Sequence, residues 1–162
     1  MKRFTTLFFL LTSQVLQAQS FEIKTRPTSF FWGMYSVSCE YMYSPKIGLE
    51  LEAFIFDTNS DLNIKEGKGY GSNIMMRYYF GPRFENDGLS VAAYSSGGIN
   101  DDSPFFIIGA MAGYKFINYK NFTISAELGL GSDLLLLRND PNYTRNVLGK
   151  LSIGYYFERE SD

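Results

Sequence analysis

The strongest constraint on this chain is the two-residue alternation of its last apolar stretch, Asn146 to Phe157, which reads N-V-L-G-K-L-S-I-G-Y-Y-F. Val147, Gly149, Leu151, Ile153, Tyr155 and Phe157 fall in one register; Leu148, Lys150, Ser152, Gly154 and Tyr156 fall in the other. Successive side chains of a strand point to opposite faces. The first set therefore makes an apolar face that finishes in aromatics, and the second a small, polar or amphipathic one. One face suits hydrocarbon and the other a tight polar interior, which is the pattern of a strand in a transmembrane β-barrel.

The same alternation recurs upstream. Tyr35–Tyr43 sets Val37, Cys39, Tyr41 and Tyr43 against Ser38, Glu40 and Met42, and Ile47–Phe56 sets Ile47, Leu49, Leu51, Ala53 and Ile55 against Gly48, Glu50 and Glu52. Further strands are expected over Gly69–Phe80, Leu89–Tyr94, Phe105–Ile117 and Phe122–Gly131. Between them the connections alternate in length. Ser44–Lys46, Gly81–Gly88 and Asn118–Asn121 read as turns, and Asp57–Lys68, Ser95–Ser103 and Ser132–Asn146 as longer polar loops. Bacterial outer-membrane barrels have this rhythm, with turns on the periplasmic side and loops outside. A barrel with both ends on one side needs an even number of strands, so an eighth is expected at about Ser20 to Phe30. It should be irregular near Pro27, which cannot donate a ladder hydrogen bond, and should turn at Trp32-Gly33. The expected fold is all-β: an eight-stranded antiparallel up-and-down transmembrane β-barrel.

Composition narrows the function more than it identifies it. The 162 residues are 17% aromatic, carry a formal net charge of −2 and include no histidine. The charge balance argues against nucleic acid as a partner. The missing histidine removes His-based triads, most catalytic zinc sites and the usual pH switch. Residues 1–18 read as a secretory signal peptide, with Met1-Lys2-Arg3, an apolar core from Phe4 to Leu11 and then a polar stretch. Cleavage after Ala18 leaves 19–162 as the barrel domain; cleavage after Ser20 is the alternative. A lone cysteine, Cys39, makes no internal disulfide and reads as a small residue on a strand face.

The segments Glu22-Ile-Lys-Thr-Arg-Pro, Met76-Arg77-Tyr78-Tyr79-Phe80, Gly113-Tyr114-Lys115-Phe116, Ala126-Glu127-Leu128-Gly129-Leu130-Gly131 and the final Gly-Tyr-Tyr-Phe together span nearly the whole mature chain. In these the chain resembles the small eight-stranded outer-membrane barrels of the OmpA/OmpX type, and in particular an uncharacterised family found widely in Bacteroidota. The resemblance implies a fold and a compartment, the bacterial cell outer membrane, and implies no catalytic residues. Such barrels often end on the aromatic residue read by the assembly machinery. Here Glu158-Arg-Glu-Ser-Asp162 follows Phe157.

The inner register carries the residues with chemistry. Glu40, Glu50, Glu52 and Glu127 face the same way as Arg77, Lys115 and Lys150, with Lys24 a further candidate. They read either as a binding, proton-handling or ion-conducting cluster or as a lumen packed with ion pairs, which is tolerable when each charge is paired and hydrogen-bonded. The second reading is the better fit to so narrow a barrel, and with Tyr79, Tyr94 and Met111 it leaves little free volume. Gly67-Lys-Gly-Tyr-Gly71 lacks the spacing and following helix of a phosphate loop. Asp101-Asp102 and Asp133 lack an EF-hand pattern. The expectation is a structural or interaction barrel acting through its outer loops, with no catalytic site, cofactor or metal. Its partners would be outer-membrane lipid and, through the C-terminal strand, the barrel-assembly machinery; a monomer is expected. A small-solute channel and a soluble lipocalin-like binding barrel are the alternatives.

Overall fold

The computed structural model describes residues 20–58, 67–80, 87–101, 103–118, 120–134 and 146–158. The expected leader, and most of the expected loops after Asp57 and Ser132, lie outside these residues. Eight strands follow one another: β1 Ser20–Thr25, β2 Met34–Ser44, β3 Ile47–Thr58, β4 Gly67–Tyr79, β5 Gly88–Asn100, β6 Ser103–Ile117, β7 Phe122–Asp133 and β8 Asn146–Glu158. Each pairs antiparallel with its neighbour in sequence, and β1 pairs with β8 to close the barrel. β1 pairs with β2 only over Val37–Met42 and with β8 only over Ile153–Glu158, and the segment after β1 lies against the remainder of those two strands.

The sheet is polar inside and apolar outside, the reverse of a water-soluble globule. Val147 is 75% and Leu128 71% exposed, whereas Glu40, Tyr79 and Lys115 are each 0% exposed. In β8 the register expected from sequence holds, with Val147, Leu151, Tyr155 and Phe157 outside and Lys150, Ser152 and Tyr156 buried within. Cys39 is outward-facing between Ile23 and Leu51. Aromatics gather on the outer surface towards both rims. At the turn end Phe21 stacks on Phe157 with ring centroids 4.6 Å apart, and Tyr78 meets Phe80 edge-on. At the other end Phe30 stacks on Tyr35. Such aromatic girdles mark the interfaces in membrane barrels.

Two expectations need correction. The first strand stops at Thr25, not near Phe30, and Pro27–Trp32 forms a 3-10 helix. Pro27 is suited to its first turn, where its missing N–H costs nothing. Gly33, at φ 68°, takes the left-handed conformation that ends it, and its N–H donates to the Phe30 carbonyl. The stretch Ser95–Ser103 is not a loop. β5 and β6 stay paired up to Asn100↔Ser103, leaving only Asp101 and Asp102 as the connection. Asp101 sits at φ 43°, a conformation Asp tolerates better than most residues. Its carboxylate accepts from the Lys68 N–H at 2.9 Å, and its own N–H donates to the Lys68 carbonyl, tying this hairpin to the start of β4.

Candidate functional site

Seven strands contribute a charged side chain to the lumen, and β5 contributes space. Glu22 and Lys24 come from β1, Glu40 from β2, Glu50 and Glu52 from β3, Arg77 from β4, Lys115 from β6, Glu127 from β7 and Lys150 from β8; all are at least 95% buried. Ala92 of β5 lies directly across the ladder from Arg77, leaving room for its guanidinium.

Glu40 and Glu50 face each other across the β2–β3 ladder, an arrangement that repels unless a cation bridges it. Lys24 does so, with its Nζ 2.7 Å from Glu40 Oε2 and 2.6 Å from Glu50 Oε2. Arg77 donates to Glu127 and to Glu50, the latter at 2.9 Å, and lies 3.3 Å from Glu40. Lys115 reaches Glu22 at 2.6 Å and Glu40 at 2.7 Å. Lys150 donates to Glu50 and stands 3.7 Å from Glu52. Arg26, from the segment after β1, donates to Glu52, as does Asn73 at 2.9 Å. Five carboxylates and five cations are thus joined into one connected set that sums to zero charge. The Tyr79 hydroxyl donates to Glu40 at 2.7 Å, and the Thr123 hydroxyl donates to Glu22. Lys115 also lies 4.8 Å from the Tyr79 ring centroid, a cation–π contact.

All seven residues expected to form the lumen network, together with Lys24, lie in this set. Sequence reasoning missed Glu22 and Arg26. Glu22 shares the inner register of Lys24, so the alternation Phe21, Glu22, Ile23, Lys24 carried the signal. Arg26 lies beyond the end of β1, where strand periodicity says nothing.

The charged set lies towards the end nearer the turns. Towards the 3-10 helix and the Asp101 connection the barrel encloses a cavity of about 360 Å³, lined among others by Phe54, Phe56, Met75, Phe105, Ile107 and Met111. Glycines on the neighbouring strands explain how aromatic side chains lie flat along the wall there instead of crossing the lumen. A Cβ on Gly71 would come within 2.6 Å of the Phe54 ring, and one on Gly109 within 2.6 Å of the Tyr94 ring. Phe54 and Phe56 occupy the register of Glu50 and Glu52, so their direction was readable. Their apolar character broke the rule that the inner face is polar.

The amino-acid sequence from residue 4 to residue 152 matches the family model described as protein of unknown function, DUF3575. The chain belongs to the DUF3575 family. No curated protein matches this DUF3575 member in sequence. Among solved structures it is similar to the N-terminal β-barrel domain of Pseudomonas aeruginosa OprF, with a TM-score of 0.52 and 21% sequence identity over 86% of this chain and 98% of that one. That likeness concerns the fold: an eight-stranded barrel of the outer-membrane type.

Proposed function

We propose that this DUF3575 protein is exported by its N-terminal leader to the bacterial outer membrane. There it would serve as a structural or interaction barrel whose lumen is shut by paired charges and whose partner-binding surface lies on the outer loops. The observation that carries the reading is the inverted polarity, with an apolar, aromatic-rimmed outer wall around a buried set of ion pairs. Such a wall is costly in water and suited to lipid. A soluble lipocalin-like barrel would need the opposite arrangement.

Closure rests on the mutual pairing of the charges. Each cation in the lumen is held by one or more carboxylates, and breaking such pairs to admit a hydrated ion is expensive. Eight strands leave an interior just wide enough for side chains to fill. Among the described residues each lumen carboxylate of this set is paired with a cation, which supports a non-catalytic role. A rigid scaffold with loops at one end is a common platform for recognition, and lipid and the barrel-assembly machinery are the expected partners of the wall and of β8.

Two measurements on one preparation test this. The protein should fractionate with the outer membrane and run with heat-modifiable gel mobility, and in planar bilayers it should show no stable ion-selective conductance. Recovery in the soluble periplasmic fraction would overturn the location. A steady open channel altered by Glu127→Gln would overturn the closed lumen and make the charged set a conduction path.

A further inference from the structure

The cavity above the charge network is blind at one end and apolar on its sides. We propose that it is a binding site for a small, uncharged, mainly aliphatic molecule bearing one hydrogen-bonding group, such as a medium-chain alcohol or amide. Its volume of about 360 Å³ lies within the range of small-molecule sites, roughly 300–1,000 Å³. Its walls combine adaptable methionines with aromatics, a combination that accepts apolar ligands of varied shape.

The polar end of the ligand is set by the floor. Lys150, Arg26 and Asn73 line the cavity. Among the lining residues, Arg26 Nε, Asn73 Oδ1 and Tyr94 Oη are buried without a hydrogen-bond partner. Unpaired buried polar atoms are costly, and Asn73, with its Nδ2 kept on Glu52, has Oδ1 left to accept from an incoming hydroxyl. The ligand's charge is set by the network beneath. Arg26 and Lys150 are already held by Glu52 and Glu50, and the connected set sums to zero, so a carboxylate entering the lumen would arrive uncompensated. Depressions on the outer wall, such as the one bordered by Val37, Cys39, Leu51 and Ala53, face the surface assigned to lipid and need no specific ligand. The inference depends on the blind lumen and not on any partner of the loops.

The methionines provide the test. Met34, Met75 and Met111 line the cavity; Met42 is buried towards the turn end and Met76 faces outward. The full-length protein, labelled with ¹³C at methionine methyls and reconstituted in lipid nanodiscs, is titrated with 1-octanol, octanoate or octane. Octanol should produce saturable shifts at Met34, Met75 and Met111, no shift at Met42, and only the linear response of bilayer partitioning at Met76. Octane, which leaves the floor groups unpaired, should bind more weakly by on the order of tenfold, and octanoate should not saturate. Leu148→Phe, which fills the cavity from β8, should abolish the saturable response while heat-modifiable mobility is retained. If that variant does not fold, the wild-type titration decides alone. Linear, unsaturated shifts at the three cavity methionines, or tighter binding of octanoate than of octanol, would overturn the proposal. A conductance found in planar bilayers would separately sink the closed-lumen reading.

Discussion

Arg77 is the residue on which most of the lumen converges. It contacts Glu40, Glu50 and Glu127 on three other strands and is 1% exposed. Replacing it with methionine keeps most of the volume and leaves three carboxylates short of a cation. Removing one partner of a buried ion pair typically costs about 3–5 kcal/mol, so Arg77→Met should lower the unfolding free energy of the refolded barrel, measured by urea titration, by that amount. A change under about 1 kcal/mol would mean that the pairs are dispensable, as exposed ones usually are. Leu128 tests the opposite surface. It projects outward from the middle of β7 at 71% exposure, where an arginine should cost roughly 2–4 kcal/mol against hydrocarbon. Leu128→Arg should therefore impair assembly in lipid vesicles. Assembly yields equal to wild type would place this wall outside the membrane.

At the scale of elements, orientation rests on the connections. The two-residue turn after Ser44 and the Asn118–Asn121 turn lie at one end, while the 3-10 helix and the Asp101 connection lie at the other. In a background of Cys39→Ala, Asp101→Cys should react with an impermeant maleimide on intact cells. Lys46→Cys should react only after the envelope is permeabilised. The reverse pattern would turn the barrel over. The sequence made β2, β3, β6, β7 and β8 legible because an uninterrupted two-residue period leaves few other readings. It misled at β5, where Ser95, Ser96, Gly97, Gly98 and Asn100 look like a loop. They are polar or small because part of them faces the lumen and their strand continues to the rim, as the register Gly98↔Phe105 shows. It misled again at β1, where Pro27 favours a tight helical turn over a bent strand. The site divides in the same way. Charges on strands were readable from alternation, whereas the cavity was not, because its existence depends on which glycines face which rings across the sheet.

For the molecule as a whole, the inward charges impose an order on assembly. Lys115 meets Glu22 across 93 residues of chain and Lys150 meets Glu50 across 100, so neither contact exists in any single hairpin. Hairpins inserted one after another would let Arg77 meet Glu50 within β3–β4 but would carry Lys115 and Lys150 at membrane depth apart from their carboxylates, at several kcal/mol each. The six residues of β1, which bring Glu22 and Lys24 into the lumen and close the ring with β8, complete the set only at the last step. Formation of this barrel should then be a concerted event with a slow, non-local transition state. An open, half-zipped sheet would gain little from lipid until its two ends meet, and neutralisation of the interior and closure of the circle become the same event.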